Sequence, residues 1–295
     1  MKSYANSLVI NTQLLYEILQ NRAERKIMLL NAKNGVVTIG NTEMDYISFG
    51  KGNKVLIMLP GLGDGLTTVK GTALLFAMAY RAYAVNYKVY VFSRKNRLTE
   101  GYSTRDMAKN QAEAMKMLGI SKADIMGISQ GGMIAQYLAI DYPNLVNKLI
   151  LAVTLSKQNE TIQTVVSSWI EMAKHGDFKS LIIDTAEKSY SERYLKRHRL
   201  LYPILGRVGK PKNFIRFLIQ ANSCIQHNAY NELDKIKCST LVLGGDSDKV
   251  VSPTSSTEIA RRIKSSELFI YKDLGHAVYE EAKDFNARVL NFLLR

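Results

Sequence analysis

The chain has 295 residues, 46% of them apolar, and a formal net charge of +14 from 40 basic and 26 acidic side chains. That is core enough for one large α/β domain with an insertion, or for two small domains. The basic balance comes without a zinc-finger, homeodomain or aromatic RNA-binding motif, so no nucleic-acid partner is expected.

The start, Met1-Lys-Ser-Tyr-Ala-Asn, lacks the apolar stretch and small-residue cleavage site of a signal peptide. No run reaches the roughly 18 apolar residues of a membrane span. Cys224 and Cys238 make neither a metal-ligand pattern nor a disulfide framework. These features point to a reduced, cytoplasmic protein.

Residues 1–35 suggest an N-terminal helical extension, because Leu14, Leu15, Ile18 and Leu19 follow helical spacing. Val36–Ile39 and Met44–Phe49 flank a Gly40-Asn41 turn and predict a hairpin. Lys54–Leu59 is an unbroken apolar run of the buried-strand type, followed at once by Pro60-Gly-Leu-Gly-Asp-Gly65 and a helix over about 68–82. Tyr87–Phe92 predicts the next strand, 93–104 a polar loop, and 106–118 a helix with Met107, Met115 and Leu118 inward.

The most informative stretch is Asp124-Ile-Met-Gly-Ile-Ser-Gln-Gly-Gly-Met133. An apolar strand enters Gly127-Ile-Ser129-Gln-Gly131, and a helical pattern leaves it, ending before Pro143. A serine at such a strand–turn–helix junction is held in a strained backbone, with its hydroxyl pushed out above the sheet. The glycines leave room where strand and helix backbones nearly touch.

Lys148–Val153 predicts another buried strand, and the rhythm resumes only at Thr240–Leu243, a helix over 253–263, a strand at Glu267–Tyr271 and a closing helix over 279–294. Strands alternating with helices demand a mostly parallel sheet covered on both faces. The core is therefore assigned to 36–154 and 238–295, with 155–237 as a helical cap inserted over the sheet's C-terminal edge. Trp169, Ile170, Met172 and Ala173 line the cap's inner face or, more simply, its core. Between Tyr194 and Arg216 lie seven cations and no acid, expected to form a mostly solvated basic face.

These motifs resemble the α/β-hydrolase superfamily from about Val36 to the C-terminus, and the stretch Tyr279–Leu293 resembles its capped bacterial carboxylesterase and enol-lactonase-like members. The resemblance implies a nucleophile, an acid and a histidine in that chain order. Ser129 fills the first position. The loop Gly245-Asp246-Ser-Asp248 offers two acids; the family's spacing selects Asp248, with Asp246 as the alternative. His276 alone among four histidines lies beyond that loop, which leaves His175, His198 and His227 as surface or cap-packing residues. The oxyanion would be held by the backbone N–H groups of Gln130 and Leu62, although the family's usual His-Gly is here Pro60-Gly61.

The implied function is a serine hydrolase acting on a small carboxylic ester, thioester or lactone, with no cofactor and no bound metal. Two alternatives use the same residues. One is an acyltransferase; the other is a ligand-binding or signalling protein that keeps the fold. The partner is a small acyl molecule in either enzymatic reading.

Overall fold

The structure, a computed structural model, describes residues 30–295. The helix expected around Leu14–Leu19 lies outside them. In chain order come β1 (Lys33–Ile39), β2 (Thr42–Phe49), β3 (Lys54–Leu59), α1 (Ala73–Ala79), β4 (Tyr87–Lys95), α2 (Thr104–Met117), β5 (Ala123–Ile128), α3 (Gln130–Asp141) and β6 (Val146–Ala152). The helices α4 (Glu160–Lys174), α5 (Phe178–Ser189), α6 (Glu192–His198), α7 (Tyr202–Leu205) and α8 (Ile215–Gln226) follow. Then β7 (Ser239–Gly245), α9 (Ser255–Arg262), β8 (Ser266–Tyr271), α10 (Val278–Glu281) and α11 (Phe285–Leu294) close the chain.

The eight strands form one sheet in the order β1-β2-β4-β3-β5-β6-β7-β8. Among the described strands β2 pairs antiparallel with both β1 and β4, while β4, β3, β5, β6, β7 and β8 pair in parallel. The central strands read as unbroken apolar runs because both faces are covered. Leu56 and Met58 of β3 enter one core with Ala77 and Phe285, while Ile57 and Leu59 enter the other with Met107, Ile134 and Ile259. This is the alternation of a pleated strand with a helix layer on either side.

Strand order reverses at β3: the chain moves from β3 to β4 on one side, then crosses to β5 on the other. A crevice opens outside the carboxyl ends of strands at such a point. It is here that β3 and β5 deliver the Pro60–Gly65 loop and Ser129.

Several boundaries differ from expectation. The strand expected to end at Phe92 continues to Lys95, because Met44 of β2 pairs with Lys95 through a register shift. The helix expected over 68–82 shrinks to α1, preceded by a 3-10 turn at Leu62–Gly65. The closing helix breaks at Ala282, whose backbone is extended (ψ 113°), so α10 and α11 are separate. Between β6 and β7 the helices bury their own apolar side, with Trp169, Phe178, Leu181 and Phe217 packed together and joined by Leu62 and Met133.

Candidate active site

Ser129 follows β5 directly and precedes the first residue of α3. Its φ of +54° and ψ of −120° lie in the strained region that such a turn requires. A Cβ on Gly127 would stand 2.4 Å from the Gly131 carbonyl oxygen, and one on Gly131 only 1.9 Å from that of Leu59. Neither position admits a side chain. The turn is fixed by Ser129 N–H donating to the Ala152 carbonyl (2.9 Å) and by Thr154 Oγ1 donating to the Ser129 carbonyl (2.8 Å).

His276 sits in the loop after β8, buried, with Nε2 2.9 Å from Ser129 Oγ. Its Nδ1 lies 2.8 Å from Asp248 Oδ2, in the loop after β7. The carboxylate can only accept, so Nδ1 carries the proton and Nε2 is left to accept from the serine hydroxyl. Asp248 is buried, and its second oxygen accepts from the N–H groups of Val250 (2.8 Å) and Val251 (3.0 Å). Those donors fix the carboxylate's rotation. Asp246 is elsewhere: its Oδ1 accepts from Asp273 N–H at 2.8 Å, tying β7's loop to the one that carries His276.

The loop holding His276 also leans on the helical segment, since Ala277 N–H donates to the Ser189 carbonyl at 2.9 Å. The other histidines are apart from this cluster. His175 and His198 each bond a carbonyl one turn back in their own helices. His227 is buried between Thr104 and Gln136, and burial pushes its imidazole down to about 3. Trp169, Ile170 and Ala173 are buried in the helical segment's own core, with Trp169 Nε1 donating to Asp184 (2.7 Å).

Gln130 opens α3 and Leu62 opens the 3-10 turn, and the first N–H groups of a helical turn have no partner within it. The loop presses on the serine: a Cβ on Gly61 would lie 3.3 Å from Ser129 Cβ and 3.8 Å from its Oγ. An apolar cavity of about 330 Å³ borders Gly61 and Ile128 and is walled by Phe76, Tyr80 and Tyr279. A larger open groove of about 880 Å³ runs beside the β1–β2 turn and α2; Ser129, Asp248 and His276 take no part in it.

Behind the loop is a polar cluster that sequence reasoning missed. Asp64, fully buried, receives Arg216 Nη2 (2.8 Å), Arg94 N–H (3.1 Å) and Gln220 Nε2 (3.2 Å). Arg216 also bonds the carbonyls of Lys95, Arg94 and Asp64, and Arg94 Nη2 bonds that of Pro60 (2.6 Å). Burial pushes the Arg94 guanidinium down, opposed by the Asp64 carboxylate. Gln130 extends the cluster, its amide donating to the Gln220 carbonyl at 2.9 Å. Arg216 therefore leaves the solvated face expected of the basic run. An arginine ending an apolar strand and an aspartate inside a glycine-rich loop were the available signals.

Among the described residues, no group of three or more His, Cys, Asp or Glu is placed to hold a metal ion, and no helix is long and apolar enough to cross a membrane.

Comparison with known proteins agrees with this architecture. A family model described as the alpha/beta hydrolase fold matches residues 54–283. A 2-hydroxy-6-oxononadienedioate/2-hydroxy-6-oxononatrienedioate hydrolase of Burkholderia vietnamiensis is 28% identical over 263 residues, covering 85% of this chain and 90% of that protein. Two solved structures share the fold at a TM-score of 0.76. One is the enol-lactonase from Burkholderia xenovorans (18% identity, 88% of this chain and 100% of that one). The other is an alpha/beta hydrolase enzyme from a Medee basin deep-sea metagenome library (23% identity, 88% and 98%).

Proposed function

This chain belongs to the α/β-hydrolase fold family and is an enzyme of that family, and on that premise we propose that it cleaves a small carboxylic ester, thioester or lactone through an acyl-enzyme on Ser129. The observation that carries the reading is the unbroken relay from Ser129 Oγ to His276 Nε2 (2.9 Å) and from Nδ1 to Asp248 (2.8 Å).

His276 Nε2 takes the serine proton as Oγ attacks the carbonyl carbon, and the developing oxyanion is held by the N–H groups of Leu62 and Gln130. Asp248 holds the ring in the accepting tautomer and stabilises the imidazolium. That proton then passes to the leaving alcohol, thiol or ring oxygen as the tetrahedral intermediate collapses. Water then gives a proton to Nε2 as its oxygen adds to the acyl carbon, and that proton returns to Ser129 Oγ as the second intermediate collapses and the acid leaves. Residues 155–237 act as a cap that excludes water from this site and sets the size of the group admitted. The apolar cavity beside Gly61 and Ile128 suits an uncharged aliphatic or aromatic group.

A fluorophosphonate probe tests the reading directly. Stoichiometric labelling that vanishes in Ser129→Ala is expected; equal labelling of that variant would remove Ser129 as the nucleophile.

A further inference from the structure

The basic run divides in two: Arg216 turns inward to Asp64, and most of the rest faces outward. Around the 3-10 turn Arg199–Leu201 and α7, five large aliphatic side chains stand exposed within nine residues. They are Leu200 (87% exposed), Leu201 (51%), Ile204 (58%), Leu205 (53%) and Val208 (69%). Elsewhere on the described surface such side chains stand singly or in pairs, which needs no explanation. Here they are flanked by Lys196, Arg197, Lys210 and Lys212, with Arg207 among them, all exposed. Glu187 and Glu192 are both turned to Arg199, and Asp177 draws on Lys210, which leaves Lys196, Arg197, Arg207 and Lys212 without an ion-pair partner among the described residues.

The segment has a firm base. Tyr190 stacks on Tyr194 (4.4 Å between ring centres) and Tyr194 on His198 (4.0 Å), with Tyr202 against Tyr190 (6.1 Å). The aliphatic side chains therefore project from an ordered support.

Nucleic acid would engage the cations through its phosphates but would leave the five aliphatic side chains in water. A neutral apolar partner would leave these four cations without counter-charge. A bilayer interface suits both sets at once: aliphatic side chains reach the headgroup–acyl boundary while lysine and arginine meet anionic headgroups. The net charge of +14 adds long-range attraction of the same sign. We propose that the surface formed by residues 196–212 seats this enzyme, reversibly, on an anionic lipid bilayer.

The experiment is sedimentation of the purified full chain with vesicles of phosphatidylcholine alone, or of phosphatidylcholine mixed with phosphatidylglycerol. Binding to the mixed vesicles at low salt is expected, weakening as salt rises. The L200S/I204S/L205S variant should bind at least about tenfold more weakly, and each of K196Q and R207Q about fivefold. Val85→Ser, at a site exposed by 79% but outside the surface, should bind as the parent does. An unchanged far-ultraviolet circular dichroism spectrum checks that each variant is folded, and because the assay reads attachment rather than turnover it stands apart from the catalytic reading. Absent binding, equal binding to neutral vesicles, or binding unchanged by the triple substitution would overturn the proposal. So would a dimer in solution that the triple substitution dissolves, which would give the surface to a second copy.

Discussion

Arg216 and Asp64 are 152 residues apart in sequence and 2.8 Å apart in space, with side chains 16% and 1% exposed. One belongs to the helical segment between β6 and β7, the other to the loop that presents the Leu62 amide. Breaking a buried pair by removing one partner leaves an uncompensated charge and costs about 3–5 kcal/mol. Arg216→Met should therefore lower the melting temperature. If the pair also aims the Leu62 amide, turnover should fall about a hundredfold at nearly constant KM, the scale of a 1 Å misplacement. The double variant with Asp64→Asn should be less destabilised than the sum of the singles. Parent-like turnover in a folded Arg216→Met would mean that the pair supports the fold alone.

Ser129→Ala should leave less than about a ten-thousandth of the ester hydrolysis. Asp248→Asn should fall by a similar order, because an amide cannot hold the histidine in its accepting tautomer. Asp246→Asn should stay within about tenfold of the parent, since that side chain serves Asp273 N–H. A reversed order for the two aspartates would move the acid to position 246.

Acid should destabilise the protein through His227. Burial lowers its folded value from 6.5 to about 3, so between those values the unfolded chain binds the extra proton. Its contribution is complete above pH 6.5 and is lost as pH falls toward 3, at a slope of up to about 1.4 kcal/mol per pH unit. Urea melts of the parent and of His227→Gln at neutral and mildly acidic pH should show a shallower loss in the variant. Parallel losses would assign the acid sensitivity to other groups.

Neutral and carboxylate-bearing esters of matched size should differ little in kcat/KM, and any preference for the anion should fade with salt, screened over roughly 10 Å at 0.1 M. The exposed cations can steer but not grip. A strong, salt-insensitive preference would point instead to Arg94, whose Nε and Nη1 have no hydrogen-bond partner among the described residues.

The sheet was legible because strands buried on both faces must be apolar throughout, as Val55–Leu59 and Leu149–Val153 are. Gly127 and Gly131 were legible for a similar reason: backbone contact excludes every side chain there. The continuation of β4 to Lys95 was not, because it depends on pairing with Met44 across the sheet. The break at Ala282 carries no proline or glycine to announce it. The cluster around Asp64 was hidden most deeply. Its members come from β3's loop, β4 and α8, and charge patterning along the chain says nothing of a partner brought in by folding.

The bond from Ala277 N–H to the Ser189 carbonyl places His276 and Ser129 in different company. Ser129 N–H is bonded into the sheet at Ala152, among the most deeply packed strands, while Ala277 N–H is bonded to Ser189, the last residue of α5, outside the sheet. Local opening is cheapest where few buried contacts resist it. Warming that loosens α5 should then draw the His276 loop away from Ser129 first, leaving a molecule that is folded by circular dichroism, slow to react with a fluorophosphonate probe, and able to recover on cooling. The exchange rate of a single amide hydrogen, that of Ala277, would serve as its clock.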